Sequence, residues 1–360
     1  MKLVLIVNKS WNLIKFRKDL IFFLKKNNFK ISLICEDENH DLNEFKKIGC
    51  DIYFTGNKVF FNLINLVKIL IFIKPNIVLN YTLKSICMFT LINFMLRIKS
   101  ISTFSGLGYL FLNNKYVYLL LILFIFLFSN KRKTVFLFHN IDDLKLFSNY
   151  KIFNNIKLIR VNGSGINSNY FKTSKLSLNS KIIKFIMIAR LIKEKGIIEF
   201  CKAAKDIAKL HKNIKFTLIV KTDLKDNGSL YFKDIQGYIE EAGIEYLENI
   251  NDVMNYIDKS HCLVLPSYRE GLSRFLLEGM SMSKPIVTTD VPGCKELVNG
   301  NGFLCQPRDY KDLKVKLIKF KNLSNAEIKQ MGEKSRDIIN KKYNIEQINR
   351  QYLNIINNLQ

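Results

Sequence analysis

Acidic side chains are scarce in this 360-residue chain: 31 Asp and Glu stand against 56 Lys and Arg, a formal net charge of +25. A surface so unbalanced attracts anions, whether nucleic acid, anionic lipid or a phosphorylated substrate. Paired metal-ligating cysteines are missing. Cys35, Cys50, Cys87, Cys201, Cys262, Cys294 and Cys305 form no Cys-x-x-Cys pair, and only His261 lies beside one of them. That pattern reads as reduced structural thiols and predicts no metal site. A bilayer-spanning run is missing too: the apolar stretch Tyr116 to Phe128 falls short of the roughly 20 residues a spanning helix needs. Leu3 to Val7 is too short for a signal peptide and ends in polar Asn8-Lys9-Ser10, so a reducing cytoplasm is expected. No internal repeat or low-complexity tract is visible.

What is present is a globular balance, 48% hydrophobic and 24% charged, with length for two domains. Short β-rich apolar runs alternate with helical patterns, which predicts βαβ units and parallel sheets. Candidate strands in the first half are Lys2 to Val7, Phe29 to Ile34, Asp51 to Phe54, Ile77 to Asn80, Ser100 to Phe104, Thr134 to Phe138 and Ile156 to Arg160. A polar segment, Asn162 to Ser180, breaks the series. A second series follows at Ile182 to Ala189, Ile214 to Val220, Ile244 to Tyr246, Cys262 to Leu265 and Pro285 to Thr288, with helix alone after about Asn325. The expected domains are 1–165 and 166–335, with 336–360 a final helix crossing back to the first.

Tyr116 to Phe128 is flanked by Lys115 and by Lys131, Arg132 and Lys133. It reads as a helix buried in the domain, as one lying in a membrane interface with its cations on anionic headgroups, or as both.

The stretch richest in chemistry runs from Leu265 to Val298, LPSYREGLSRFLLEGMSMSKPIVTTDVPGCKELV. Its two glutamates, Glu270 and Glu278, would lie about 12 Å apart on one continuous helix, too far to share a ligand atom. If Gly271 to Ser273 form a loop and the helix begins near Arg274, Glu270 instead sits at the sheet's C-terminal edge and Glu278 about one turn into the helix. That arrangement suits a long ligand. A diphosphate would rest on the amides of Gly271, Leu272, Ser273, Arg274 and Phe275, Glu278 would accept two ribose hydroxyls, and Glu270 would reach a sugar.

The string resembles the donor-binding signature of family 4 retaining glycosyltransferases, with Ser273 in place of a Pro, Gly279 of an Ala and Lys295 of an Arg. Arg190 and Lys195, in Ala189-Arg190-Leu191-Ile192-Lys193-Glu194-Lys195-Gly196, fall where that family places two cations against the donor diphosphate. The leaving group's charge must be offset as the glycosidic bond breaks. Gly163-Ser164-Gly165-Ile166-Asn167 resembles the family's Gly-x-Gly-Val-Asp, where Gly165 would let backbone approach a ligand.

The first half resembles the acceptor domain of the same family. Asn8, Trp11, Asn12, Phe16 and Arg17 fall where members with lipid-linked acceptors carry an Asn-Phe-Arg helix start. Asn80 to Lys84 resembles their Thr-x-Lys-Pro loop with Ser85 in place of Pro, and Thr103 to Tyr109 their Thr-Gly-Leu-Gly segment. Many relatives carry a histidine where this chain has Gly106; His139, after the next candidate strand, is a candidate cleft residue.

The resemblance implies a GT-B fold, two Rossmann-like domains with parallel sheets facing across a cleft. It also implies metal-independent, retaining transfer of a hexose or N-acetylhexosamine from a nucleotide diphosphate sugar, UDP being the expected nucleotide. Glu270, Arg190 and Lys195 would serve the reaction, Glu278, Gly165 and the 271–275 amides the donor, and Asn12, Arg17, Lys84, Gly106 and His139 the acceptor. No cofactor beyond the donor is implied. The expected acceptor is a polyprenyl-diphosphate-linked glycan of bacterial surface polysaccharide or glycoprotein assembly, met by a peripheral protein on the inner membrane face. The competing readings are a non-catalytic partner of the same fold, a nucleic-acid binder and a sugar-nucleotide epimerase. Scattered lysines without a reading motif disfavour the binder, and the epimerase lacks its acid and base set.

Overall fold

The computed structural model describes residues 1–37, 39–56, 59–107, 115–130, 132–172, 182–222 and 230–359. Gly108, Tyr109, Lys131 and the end of the 162–180 segment lie outside them. The chain divides into two compact units, Met1–Gly165 with Ile345–Gln360, and Ile166–Asn344.

The first unit is built on seven parallel strands in the order β3-β2-β1-β4-β5-β6-β7. They are β1 (Lys2–Ile6), β2 (Lys30–Cys35), β3 (Asp51–Phe54), β4 (Ile77–Tyr81), β5 (Lys99–Phe104), β6 (Thr134–Phe138) and β7 (Lys157–Arg160). Every residue of β4 and β6 is buried, as continuous apolar runs covered on both faces require. All seven expected strands form, each end within one residue of its expected place.

The second unit has six parallel strands, β10-β9-β8-β11-β12-β13. These are β8 (Ile183–Arg190), β9 (Ile214–Lys221), β10 (Glu245–Glu248), β11 (Cys262–Leu265), β12 (Ile286–Thr289) and β13 (Gly302–Cys305). Five were expected. The edge strand β13 was not, because its four residues follow a Gly- and Asn-rich turn and carry no alternation to read.

The last helix, Ile345–Asn357, belongs with the first unit. Ile348, Tyr352 and Ile356 recur every four residues and are at most 1% exposed, one apolar stripe packed in the core of the first sheet. The return begins at Ile345, not at 336. Ile338, Ile339 and Tyr343 are buried in the second unit's core, so the chain stays there until that core is filled.

The helix Lys115–Phe128 is divided between the two expectations. Ile122 and Ile125 are buried, whereas Tyr116, Leu120 and Leu127 are 79%, 67% and 58% exposed.

Candidate active site

In the second sheet the strand order reverses between β8 and β11, and ligands of open α/β sheets sit beyond the C-terminal ends of such a strand pair. Beyond β8 the chain passes exposed Arg190, turns at Lys193–Lys195 and enters the helix Ile197–Leu210 through Gly196. Gly196 has φ +73°, and a Cβ there would collide with the Pro266 carbonyl. The loops after β8 and β11 therefore touch backbone to backbone. Tyr268 N–H and Ser267 Oγ donate to the Glu194 carbonyl at 2.8 and 3.0 Å, which fixes the register of the two loops.

The loop after β11 is also held from β12. Glu270 N–H donates to the Pro292 carbonyl at 3.1 Å, and Gly293, at φ +77°, leaves no space for a Cβ against the Glu270 carbonyl. Three loops thus aim one carboxylate. Lys195 Nζ donates to Glu270 Oε1 at 2.5 Å, with side chains only 18% and 11% exposed.

The next helix is Arg274–Ser281, as the loop reading predicts. Ser273 caps it, its Oγ accepting the Leu276 N–H at 3.4 Å; the serine that stands in place of a proline is a preferred cap residue. Glu278 follows one turn inside, and Arg274 Nε donates to its Oε1 at 2.6 Å. Each glutamate of the pair thus carries its own cation. Beneath them Tyr268 donates its hydroxyl to Glu199 Oε1 at 2.7 Å while the Arg308 guanidinium lies 4.8 Å from the Tyr268 ring centroid. Burial, and then Glu199, raise the Tyr268 pKa. Glu199, Arg308 and Gly293 were missed as site residues in the sequence; only Gly293 lay within the quoted signature.

In the first sheet the reversal falls between β1 and β4. Asn12 and Arg17 follow β1, Arg17 closing a single π-helical turn, Leu13–Arg17. Arg17 is 3% exposed and stacks over Tyr81, the last residue of β4, at 3.8 Å. His139, directly after β6, is 5% exposed. Burial, and then the Arg17 charge, push its pKa down to about 3, so it is a neutral imidazole. The fold stacks Arg17 on Tyr81 and leaves His139 within reach of the Arg17 charge. Asn12 lies one turn earlier, 7% exposed, its Oδ1 without a partner.

Lys84 is committed elsewhere, to Glu36 Oε1 at 2.6 Å. Gly106 stands two residues beyond β5 at φ +134°. Gly165 has a packing role: at φ +75°, a Cβ would press on Ile345 and Ile348 of the returning helix. A neighbouring cluster escaped the sequence reading, in which Ser10 Oγ donates to Asp37 Oδ1 at 2.6 Å and Lys9 Nζ lies 3.1 Å from Oδ2. Burial works to raise the Asp37 pKa, but the Ser10 and Lys9 contacts outweigh it and the net shift is downward.

Residues 170–343 match the model of the family described as glycosyl transferases group 1. A capsular polysaccharide biosynthesis glycosyltransferase, CapM of Staphylococcus aureus, is 26% identical over 168 residues, 44% of each chain. The N,N'-diacetylbacillosaminyl-diphospho-undecaprenol alpha-1,3-N-acetylgalactosaminyltransferase of Campylobacter jejuni is 29% identical over 144 residues, 39% of this chain and 36% of that one. The matches thus span less than half of these relatives. Among solved structures, Anabaena HepE in complex with UDP-glucose superposes with a TM-score of 0.80 at 16% identity, covering 99% of this chain and 100% of that one. The fold is therefore that of the GT-B glycosyltransferases.

Proposed function

We propose, from the match of residues 170–343 to the glycosyl transferases group 1 family, that this protein is a retaining glycosyltransferase using a UDP-sugar. The observation that carries this reading is the pair Glu270 and Glu278, each joined to a cation, on the loop and helix after β11. In the proposed complex the donor diphosphate lies on the first-turn amides of the helix Arg274–Ser281, and Glu278 accepts the ribose hydroxyls. Arg190 and Lys195 offset the charge that grows on the leaving UDP, without a metal. Glu270, released from Lys195, holds hydroxyls of the transferred hexose or N-acetylhexosamine. Attack on the donor's front face lets the departing phosphate take the acceptor proton, so no side-chain base is required.

The acceptor in this reading is a lipid-linked glycan, which is what the name of the Campylobacter relative says of that protein. Among the described residues no helix is long and apolar enough to cross a membrane. The first unit nonetheless exposes an apolar face on three of its helices, through Ile71 and Phe72, Phe94 and Met95, and Leu120 and Leu127. Each helix is followed by exposed cations, Lys74, Arg97, and Arg132 with Lys133. Phe94 and Phe128 meet at 5.5 Å, so two of the faces adjoin. Apolar side chains with a cationic rim fit an anionic bilayer surface.

The test is UDP release from a panel of UDP-sugars by detergent-purified protein, with and without extracted lipid-linked glycans. Turnover with one donor that depends on the lipid fraction and is lost in Glu278→Ala and Arg190→Ala is expected. Silence across UDP- and GDP-sugars would move the protein to a non-catalytic partner of the same fold.

A further inference from the structure

The first unit holds a cation that the described residues leave without an anion. Arg17 is 3% exposed, its Nε has no hydrogen-bond partner, and among the described residues it joins no ion pair. A buried guanidinium without a counter-charge is destabilising, and the Tyr81 face beneath it, at 3.8 Å, offsets only part of that.

The surroundings indicate what engages it. Tyr81 ends β4 beside β1, where the order of the first sheet reverses, the place at which open sheets take ligands. His139 Nε2 is buried without a partner, and His139 is near enough to Arg17 for that charge to lower its pKa. Tyr352 reaches the same spot from the returning helix, its hydroxyl 3.3 Å from Thr103 Oγ1. One permanent positive charge, held rigidly on a ring and flanked by neutral hydrogen-bonding groups, is the chemistry that recognises phosphate.

We propose that Arg17 binds a phosphate group of the acceptor, held in place by Tyr81 and assisted by a hydrogen bond from His139. This rests on reading the first unit as the acceptor side. The same chemistry serves two sources, the diphosphate of a lipid carrier and a soluble sugar phosphate.

The test is calorimetric titration of the full chain, saturated with UDP so that the second unit's phosphate-binding loop is filled. The probes are inorganic pyrophosphate, farnesyl diphosphate and glucose 1-phosphate. Arg17→Met is expected to lower pyrophosphate affinity at least about tenfold while its Tm holds or rises, since a buried uncompensated charge has gone. Arg17→Lys keeps the charge but not the planar fork, and is expected to bind more weakly than the parent. Parental affinity in either variant overturns the proposal, as does a parent chain that binds no pyrophosphate. Preference for farnesyl diphosphate or for glucose 1-phosphate upholds the site and names its source. Arg17-dependent pyrophosphate binding in a protein that turns over no nucleotide sugar would remove the transferase reading and leave the phosphate site standing.

Discussion

Lys195 and Glu270, 75 residues apart in the chain, meet at 2.5 Å where the loops after β8 and β11 touch. The contact holds both side chains near the sheet edge, yet the proposed reaction needs them to part, the lysine toward diphosphate and the carboxylate toward sugar. Lys195→Ala is expected to cut kcat/KM about 10²- to 10³-fold, the scale of losing one group that stabilises transition-state charge. Steady-state UDP release measures it. A loss of less than about threefold would leave the lysine a structural partner of Glu270 alone.

Gly293 props the same loop from below, and its φ of +77° with no room for a Cβ makes Gly293→Ala doubly unfavourable. A cost of about 1 to 3 kcal/mol is expected from the backbone alone, together with a fall in kcat/KM as Glu270 is displaced. Thermal unfolding and donor kinetics read the two effects separately. Gly300→Ala is the comparison, at φ +74° but with nothing within 4 Å of a Cβ; it shares the strain and should spare the kinetics.

In the signature that this run resembles, alanine stands where this chain has Gly279. A Cβ at Gly279 would collide with the Leu263 side chain of β11. Overpacking of this kind costs about 1 to 3 kcal/mol, more than the helix propensity gained. Gly279→Ala should therefore destabilise, and adding Leu263→Val should restore most of the loss. Denaturant midpoints across the two single variants and the double variant decide; additive changes would show that the two positions do not share the space.

The buried imidazoles set an acid limit. His139 is pushed down from 6.5 to about 3 by burial and by Arg17, and His261 to about 4 by burial, Lys284 and Lys184. Below pH 6.5 the unfolded chain gains protons that the folded one refuses, so stability is full above that value and falls as pH drops toward 4. Tm measured from about pH 7.5 to 4.5 should decline, and His139→Gln should flatten part of the decline. An unchanged slope would mean that His139 takes up its proton without cost.

Most of the architecture was legible because parallel strands buried on both faces are written as unbroken apolar runs. The strand β13 was not, being four residues at a sheet edge. Glu270 and Glu278 could be placed on a loop and a helix from Gly271 and Ser273 alone, but their cations could not be assigned. Arg274 was read for its amide when its guanidinium holds Glu278, and the pairing of Lys195 with Glu270 depends on two loops meeting through Gly196. In the first unit the sequence marked Arg17 and His139 separately. Only the sheet order, in which β1 lies beside β4 and β6 two strands beyond β4, carries both to the same edge of one sheet.

The returning helix gives the two units different histories during synthesis. Residues 166–344 form a continuous unit and can close their core once they leave the ribosome. The earlier-made first unit must wait for Ile348, Tyr352 and Ile356, which complete its core. For the time it takes to translate the whole second unit, an apolar sheet face stands open, and it is in this interval that a chaperone or the nascent chain's own aggregation would compete for it.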